Sequence, residues 1–340
     1  MKLHRLAPAL MLAGACLAGG RAIAQVAIAG DGGVYQDAER KAFYQPAAQK
    51  LGITVKDYSG TGIAPLRAQV KSGAVTWDVV ELWNGLCEQA GREGLTEKLD
   101  YSVIDRSGIP EGLSGDNWIG ITAYSAVMVY NKNKYGANPP QNWTDFFDVQ
   151  KFPGRRAMNP GDTSVEIALM ADGVPPDKLY PLDLDRAFKK LASFKPNVSA
   201  WWTTGSQAVQ FARDQEVDML SMWNGRADAA IKDGGPVAYG WNQGILEMDC
   251  LVVAKNAPHK DLAMKVVGAI TSAEIQANLP KYINYAPINQ KAFEGGLIAP
   301  EIASKLGTSP ANLKQQVVLN IKWWADHSQE VQERFDKLMH

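Results

Sequence analysis

Four of the ten tryptophans in this 340-residue chain fall between residues 201 and 249, in a segment that ends with two acidic residues. An indole face attracts cations through its quadrupole, and a nearby carboxylate supplies the matching negative charge. A pocket walled by tryptophan and floored by carboxylate therefore suits a small organic amine. Core packing is the competing explanation for any tryptophan in a globular chain. The residues concerned are Trp201, Trp202, Trp223, Trp241, Glu247 and Asp249.

Catalytic chemistry has weaker support in the sequence. There is no G-x-S-x-G elbow, H-E-x-x-H pair or P-loop, and Gly30-Asp31-Gly32-Gly33 lacks the third glycine of a dinucleotide-binding fingerprint. The histidines are isolated from one another along the chain, at His4, His259, His327 and His340. We therefore predict no zinc site, no histidine general base and no cofactor. A hydrolase that uses a pair of carboxylates stays open as an alternative, because it requires no recognisable motif.

The N-terminus has the pattern of an export signal. A basic start precedes an apolar stretch over residues 6–17, and Ala22-Ile23-Ala24 matches a signal-peptidase site. We expect residues 1–24 to be removed, so that the mature chain starts at Gln25 in the periplasm. A lipobox ending at Cys16 is the competing prediction, and it would anchor the protein to a membrane through a lipid.

Loss of that segment would lower the formal net charge from −1 to −4, because three basic residues and no acidic residue are removed. An acidic chain lacks the basic patch that nucleic-acid binding requires.

The length of the chain that remains after export favours two lobes over one, and we expect a monomer. The exported chain would keep Cys87 and Cys250, and an oxidising compartment permits either a disulfide or two buried thiols.

Apolar runs and turn residues alternate in the way that is typical of α/β proteins. Predicted strands cover 26–29, 53–58, 77–82, 126–130, 217–222 and 249–254. Predicted helices cover 37–51, 63–72, 163–171, 184–193, 205–215 and 225–232, with others near Asn84, near Asn142 and after His259. This alternation favours mostly parallel sheets flanked by helices. No long linker separates the halves, so we expect two lobes joined by crossing strands.

Four blocks of sequence are informative through their order and spacing. They are Met222-Trp223-Asn224-Gly225, residues 244–249, residues 252–257 and residues 284–289. Together they resemble the spermidine/putrescine-binding family of periplasmic solute-binding proteins, which serve ABC importers. The resemblance extends over nearly the whole of the exported chain.

The resemblance implies a two-lobed periplasmic binding protein fold, with a ligand cleft between the lobes. We expect one lobe to contain residues 25–127 and 252–289, and the other to contain residues 128–251 and 290–340. The implied function is to capture a small cationic, polyamine-like solute by lobe closure and deliver it to an inner-membrane ABC permease. Such a protein is not an enzyme.

The resemblance also assigns ligand contacts. The tryptophan of the W-N-G block, Trp223, would stack on the solute, and the aspartate of the M-D block, Asp249, would accept its amine. Tyr285 would face the ligand. A carboxylate at the start of a helix in the second lobe would also contact it, with Glu166 as the best match and Asp162 nearby.

Several positions depart from the family pattern. Glu247 stands where an aromatic residue is common, and the loop from Asp31 to Tyr35 has one aromatic residue where polyamine binders carry two. Trp83 and Trp241 are further candidates for ligand contact. The other tryptophans considered, Trp201, Trp202, Trp323 and Trp324, are predicted to pack in the core or on the surface.

These departures leave other ligands open. An anionic or zwitterionic solute could be held by the backbone of the Gly30-Asp31-Gly32-Gly33 loop and by Arg226. We favour a structural ion pair for Arg226, with Asp228 or Asp218 as its partner. Ferric-ion capture ranks lower, because comparable proteins use adjacent tyrosines and Tyr282 and Tyr285 are not adjacent.

Overall fold

The computed structural model describes residues 24–161 and 163–340. The predicted export signal, apart from Ala24, lies outside the described residues, and so do Cys16 and Asp162. In the part of the chain that is described, no helix is both long and apolar enough to cross a membrane.

The strands of the described chain belong to one sheet. They are β1 Gln25–Gly30, β2 Thr54–Ser59, β3 Val79–Trp83, β4 Trp118–Asn131, β5 Arg156–Met158, β6 Val198–Trp201, β7 Met219–Trp223, β8 Val237–Tyr239, β9 Ile245–Val253, β10 Ala286–Pro287 and β11 Val317–Val318. Valine and isoleucine are frequent in β1, β3, β4 and β9, because branched side chains pack well on a pleated surface.

Helices follow most of the strands. They are α1 Gly33–Glu39, α2 Gln45–Leu51, α3 Ile63–Ser72, α4 Gly85–Arg92, α5 Lys132–Tyr135, α6 Trp143–Phe147, α7 Thr163–Ala171, α8 Leu184–Phe194, α9 Gly205–Arg213, α10 Asn224–Lys232, α11 Lys260–Ile270, α12 Ala273–Gln276, α13 Pro300–Ala303, α14 Pro310–Leu313 and α15 Ile321–Met339. A π-helical segment, Arg40–Tyr44, joins α1 to α2. The side chains of Asn142 and Asn320 cap α6 and α15 by accepting backbone N–H bonds.

The order of the main strands is β2-β1-β3-β9-β4-β7-β5-β6. At one end β1 runs parallel to β2 and β3, and at the other β5 runs parallel to β6 and β7. Between these two parallel groups lie the long strands β4 and β9, which are antiparallel to each other and to their neighbours β7 and β3. Two parallel halves are therefore joined by two crossing strands.

Two buried apolar clusters fill the molecule. The larger one extends across β1, β3, β4 and β9 and the helices around them. The smaller one packs β7 against α9 and α10 and includes Trp202, Met222 and Ala227. The smaller cluster belongs to the half of the sheet formed by β5, β6 and β7, whereas Met158 of β5 and Met219 of β7 belong to the larger cluster.

The predicted elements agree best where the pattern is local. The strands predicted at 26–29 and 53–58 correspond to β1 and β2 within two residues. The strands predicted at 126–130 and 249–254 are only parts of β4 and β9. Polar residues such as Thr122 and Ser125 interrupt the apolar pattern of β4 although both are buried, which is why the prediction was too short.

Cys87 and Cys250 form a disulfide, with their Cα atoms 6.2 Å apart. That separation is normal for a bridged pair. The bond is possible because β3 pairs with β9, which places Leu82 opposite Cys250, and α4 follows β3 directly and carries Cys87. Of the two states that the sequence left open, the structure shows the disulfide.

Candidate functional site

A cavity of about 510 Å³ opens among the strand ends of the central sheet. Its walls contain seven of the ten residues that we predicted to contact ligand, namely Asp31, Tyr35, Trp83, Trp223, Glu247, Asp249 and Tyr285. Asp162 lies outside the described residues. Residues from widely separated parts of the sequence are therefore brought to one pocket.

Sheet register explains how the acidic residues reach the pocket. Glu247 and Asp249 are two positions apart on β9 and so point to the same face. Asp249 lies opposite Trp83 of β3 on one side and opposite Thr122 of β4 on the other. Glu247 lies opposite Tyr124 of β4.

Five aromatic rings form a continuous surface in the pocket, which we call the aromatic wall: Tyr35, Tyr285, Tyr124, Trp223 and Trp202. Successive ring centroids are 5.6, 5.5, 6.2 and 5.2 Å apart. Such faces provide apolar contact and attract cations. Trp202, which we predicted to pack in the core, is buried and also lines the pocket.

Asp249 is the buried carboxylate of this pocket, with 7% of its surface exposed. Its Oδ2 accepts hydrogen bonds from Tyr35 at 2.9 Å and Thr122 at 3.2 Å, and its Oδ1 lies 3.4 Å from the hydroxyl of Tyr124. Burial raises the pKa of Asp249 to about 7, and the nearby charge of Asp31 acts in the same direction. The hydrogen bonds offset part of this rise. A cationic group arriving at Asp249 would favour its ionised form.

Glu247 is also buried, but its oxygens are bound by neighbours. Oε1 accepts from the indole nitrogen of Trp223 at 3.0 Å, and Oε2 accepts from the side chain of Asn84 at 3.0 Å. The carboxylate therefore orients the Trp223 ring. This explains how a glutamate can occupy a position where an aromatic residue was expected.

Behind Asp249, the hydroxyl of Tyr35 also reaches Glu81 at 2.9 Å and Thr122 at 2.6 Å. Glu81 in turn lies beside Glu39, and both glutamates are fully buried. Burial raises the pKa of Glu39 to about 8 and the pKa of Glu81 well above its usual range. Neither glutamate was predicted from the sequence, because each belongs to an otherwise ordinary helix or strand.

Arg226 lines the pocket from α10. The ion pair that we favoured for it is wrong. Asp218 pairs with Lys134 at 3.1 Å, and Asp228 accepts from the hydroxyl of Tyr239 at 3.1 Å. Among the residues that the structure describes, no carboxylate forms an ion pair with Arg226.

Close packing holds Tyr285 between the charged groups. A Cβ atom on Gly225 would lie 2.5 Å from the Tyr285 ring, so only glycine allows the ring to rest against α10. The charge of Asp249 raises the pKa of Tyr285 and the charge of Arg226 lowers it, with a net rise to about 12 that is caused mainly by burial. Tyr285 therefore lies within electrostatic range of both groups.

Two predicted contacts are not in the pocket. Glu166 is fully buried and accepts hydrogen bonds from Tyr180 at 2.6 Å and from the indole of Trp324 at 2.8 Å, so it fastens α15 to α7. Trp241 packs edge-on against Tyr239, with ring centroids 5.5 Å apart, and does not line the cavity. The match to the family pattern was insufficient to place Glu166, and the spacing of the tryptophans was insufficient to place Trp241.

The residues that sequence reasoning missed lie mainly on β4 and next to β3. Thr122, Tyr124 and Asn84 contact the two acidic residues of β9. Thr122 and Tyr124 are two positions apart on β4, which is only a weak signal in the sequence. The pairing of β4 with β9 is what places both side chains beside the acidic residues.

Of the two tyrosines considered for ferric iron, Tyr285 lines the pocket and Tyr282 is half exposed elsewhere. Within residues 24–161 and 163–340, no group of His, Cys, Asp and Glu is arranged to hold a metal ion.

The chain is similar to several known proteins. The family of bacterial extracellular solute-binding proteins matches residues 41–307. The gamma-aminobutyric acid-binding protein of Pseudomonas aeruginosa is 32% identical over 314 residues, which cover 90% of this chain and 88% of that protein. The spermidine/putrescine-binding periplasmic protein of Escherichia coli is 24% identical over 266 residues, 75% of this chain and 74% of that protein.

A solved structure supports the same relationship. The substrate-binding protein of an ABC transporter from Bradyrhizobium japonicum superposes with a TM-score of 0.88 and 43% identity, over 93% of this chain and 100% of that one. This match confirms the predicted two-lobed α/β fold. The chain therefore belongs to the bacterial extracellular solute-binding proteins, and it is a substrate-binding receptor of an ABC importer rather than an enzyme.

Proposed function

We propose that this receptor binds a small solute with an ammonium group at one end and a carboxylate at the other. The observation that carries the proposal is the presence, in one pocket, of the buried carboxylate of Asp249 and the guanidinium of Arg226. Complementary charges at two separate points select both the class of ligand and its orientation. This combines the amine that the sequence predicted with the carboxylate of its alternative.

The ammonium end binds between Asp249 and the aromatic wall. Tyr35, Tyr124 and Tyr285 surround the carboxylate, and Trp223 is held beside them by Glu247. A desolvated cation against such faces gains on the order of 2 kcal/mol from each good contact. The methylene groups of the solute pack on the same rings.

The carboxylate end binds Arg226. A guanidinium presents a planar fork of N–H donors that matches a carboxylate in two-point geometry. The relative from Pseudomonas aeruginosa is a gamma-aminobutyric acid-binding protein, and that solute has an ammonium and a carboxylate at the ends of a short chain. The similarity supports an amino acid of this kind as the ligand.

A diamine is the second candidate. Asp31 also lines the pocket, and partial burial raises its pKa. With Asp249 it offers a second carboxylate to a second ammonium group. The polyamine-binding relative from Escherichia coli supports this alternative less strongly, because its identity to this chain is lower.

We infer export to the periplasm, binding as a monomer and delivery to an inner-membrane ABC permease. We place residues 25–127 and 252–289 in one lobe and residues 128–251 and 290–340 in the other. The boundaries between residues 127 and 128 and between residues 251 and 252 fall inside β4 and β9, the two strands that cross between the halves.

If ligand closes the lobes, small-angle scattering with saturating ligand will give a smaller radius of gyration. An unchanged curve would contradict closure.

Isothermal titration calorimetry with four probes tests the ligand class. The probes are γ-aminobutyric acid, γ-aminobutyramide, butyric acid and putrescine, which keep the chain length and change one end at a time. We expect γ-aminobutyric acid to bind about thirtyfold or more tightly than either singly charged probe, because an unpaired buried charge costs roughly 2–5 kcal/mol. Tighter binding of putrescine would favour the diamine. Failure of all four would overturn the proposal.

A further inference from the structure

Three carboxyl groups are buried together beneath the pocket. Glu39, Glu81 and Asp249 expose 0%, 1% and 7% of their surface. Among the described residues, none of the three pairs with a basic side chain. Arg40, which follows Glu39 in the chain, pairs with Asp37 and with Asp57 at 2.6 Å. Three buried negative charges without a cation would be very costly, so the group must hold protons.

The two glutamates hold at least one of these protons. Oε1 of Glu39 and Oε2 of Glu81 are buried and have no hydrogen-bond donor in the described chain. Burial raises the pKa of both carboxyls, and their proximity raises the pKa of Glu81 further while it lowers the pKa of Glu39. A proton held by Glu81 and donated to Glu39 satisfies both oxygens. The other oxygen of Glu39 accepts from Tyr44 at 3.0 Å.

The hydroxyl of Tyr35 then has two carboxyl acceptors within reach, and the hydroxyl of Thr122, 2.6 Å away, can donate to Tyr35 or accept from it. The Tyr35 oxygen is 2.9 Å from Oε1 of Glu81 and 2.9 Å from Oδ2 of Asp249. A phenol has one hydrogen, so it can donate to only one of them. The other carboxyl oxygen then faces the Tyr35 oxygen with no hydrogen between them, so their lone pairs repel. A proton kept by that carboxyl removes this repulsion.

We propose that Glu81, paired with Glu39, is a positioning residue for amine binding: by accepting the hydrogen of Tyr35, it leaves Asp249 protonated until the ligand's ammonium arrives. The proposal rests on the proposed function. On binding, the O–H bond of Asp249 breaks, the proton leaves to solvent and the carboxylate pairs with the ammonium. No bond in the ligand changes.

The surroundings favour this arrangement. The titratable and charged groups that face the cluster are Asp31, Tyr35, Tyr44, Tyr124 and Tyr285, with Arg226 and Glu247 acting on Tyr285. All but Arg226 are acidic or phenolic. Burial also raises the pKa of Asp249 to about 7, so the exchange of its proton falls within an ordinary range of pH.

Calorimetry of γ-aminobutyric acid binding in two buffers that differ in protonation enthalpy measures the protons released, with phosphate and bis-Tris at pH 6 and borate and ethanolamine at pH 9. At pH 6 we expect release of about one proton, and at pH 9 almost none. Affinity should rise about fivefold from pH 6 to pH 7 and about tenfold from pH 6 to pH 9. Absence of release at pH 6 in a protein that binds would overturn the proposal.

Two variants isolate the role of Glu81. In Glu81→Gln the amide N–H can donate to Glu39 while the carbonyl accepts from Tyr35, so proton release stays as in the wild type. In Glu81→Met the acceptor is gone and Tyr35 donates to Asp249. Release at pH 6 then falls and affinity at pH 6 rises by up to about tenfold, with affinity at pH 9 unchanged. Unaltered release in Glu81→Met would overturn the proposal.

Carboxyl carbon NMR of the ligand-free protein separates this inference from the choice of ligand. The signal of Asp249, assigned by its loss in Asp249→Asn, should titrate near neutral pH in the wild type and at lower pH in Glu81→Met. This result is expected even if none of the four probes binds. Titration of Asp249 near its ordinary pKa in the wild type would contradict the inference whatever the ligand.

Discussion

The indole nitrogen of Trp223 donates a hydrogen bond of 3.0 Å to Oε1 of Glu247, joining the end of β7 to β9 across the pocket. The second oxygen of Glu247 accepts from Asn84 at 3.0 Å. Asp249 lies on the same face of β9, and its partners are hydroxyl groups. Two acids of one strand therefore have different tasks: Glu247 orients the tryptophan, and Asp249 is the carboxylate that we assign to the amine.

Asp249→Asn should weaken binding of an amine by about thirtyfold or more, because loss of one partner of a buried charge pair costs roughly 2–5 kcal/mol. Folding stability should not fall, since the amide oxygen still accepts hydroxyl hydrogen bonds and the variant has no buried carboxylate at this position to ionise. Calorimetry and thermal unfolding measure the two effects. Asp172→Asn, which removes a surface ion pair with Arg186, is the control and should leave affinity unchanged. Normal affinity in folded Asp249→Asn would place the amine elsewhere.

Trp223→Leu should reduce affinity by roughly thirtyfold, because a desolvated cation–π contact is worth on the order of 2 kcal/mol. Trp241→Leu is the matched control, since Trp241 packs against Tyr239 outside the cavity. We expect its affinity to equal that of the wild type even if its melting temperature falls. Equal losses of affinity in both variants would mean that the tryptophans act through general stability.

Arg226→Gln should discriminate between ligand classes. Binding of γ-aminobutyric acid should weaken by about thirtyfold or more, because its carboxylate loses a charged partner. Binding of putrescine should stay the same or improve, because a positive charge leaves the pocket. Arg226→Lys should recover part of the affinity, since the charge returns without the two-point geometry. Unchanged binding of γ-aminobutyric acid to Arg226→Gln would exclude Arg226 as the carboxylate site.

The disulfide should stabilise the fold strongly, because it joins residues 163 apart in sequence. Loss of a bond that closes so long a loop typically costs about 2–5 kcal/mol. The double variant with Cys87→Ser and Cys250→Ser should therefore unfold at a lower denaturant concentration than the oxidised wild type. Reduced wild-type protein should match the variant. Equal midpoints for the oxidised and reduced wild type would show that the bond adds no stability.

Stability of the ligand-free protein should fall as the pH rises from about 5 to about 8. Folding raises the pKa of Glu39 to about 8, of Asp249 to about 7 and of Glu81 well above its usual range. Between its ordinary pKa and its folded pKa, each group binds more protons in the folded state, so a rise in pH favours unfolding. Groups with lowered pKa, such as Asp57, act at more acidic pH.

Denaturant titrations at pH 5, 6.5 and 8 test this dependence. Glu39→Gln should flatten the decline, because it removes one of the protons concerned while keeping a side chain of the same size. A saturating amine should also reduce the decline, since it neutralises the charge that forms on Asp249. Stability that increases steadily from pH 5 to pH 8 would contradict the assigned protonation of the cluster.

The sequence by itself determined the α/β class, elements with a strong local pattern, and the choice of Trp223 and Asp249, which the structure places in the pocket. β1 and β2 follow from local apolar runs, and the capped start of α6 follows from Asn142. Trp223 and Asp249 followed from the resemblance to polyamine-binding proteins. These features depend on residues close together in the chain, so a pattern is sufficient to predict them.

The tertiary structure decided which distant residues meet. The pairing of β3 and β4 with β9 brings Thr122 beside Asp249 and joins Cys87 to Cys250. The packing of helices on the sheet also brings Glu39, Glu81 and Asp249 together beneath the pocket, and it places Glu166 against α15. The sequence of one strand shows only how its own side chains alternate between the two faces of the sheet. Which face is buried, and which hydroxyl meets which carboxylate, depends on sheet register between strands more than a hundred residues apart, and the pKa of each acid follows from that burial.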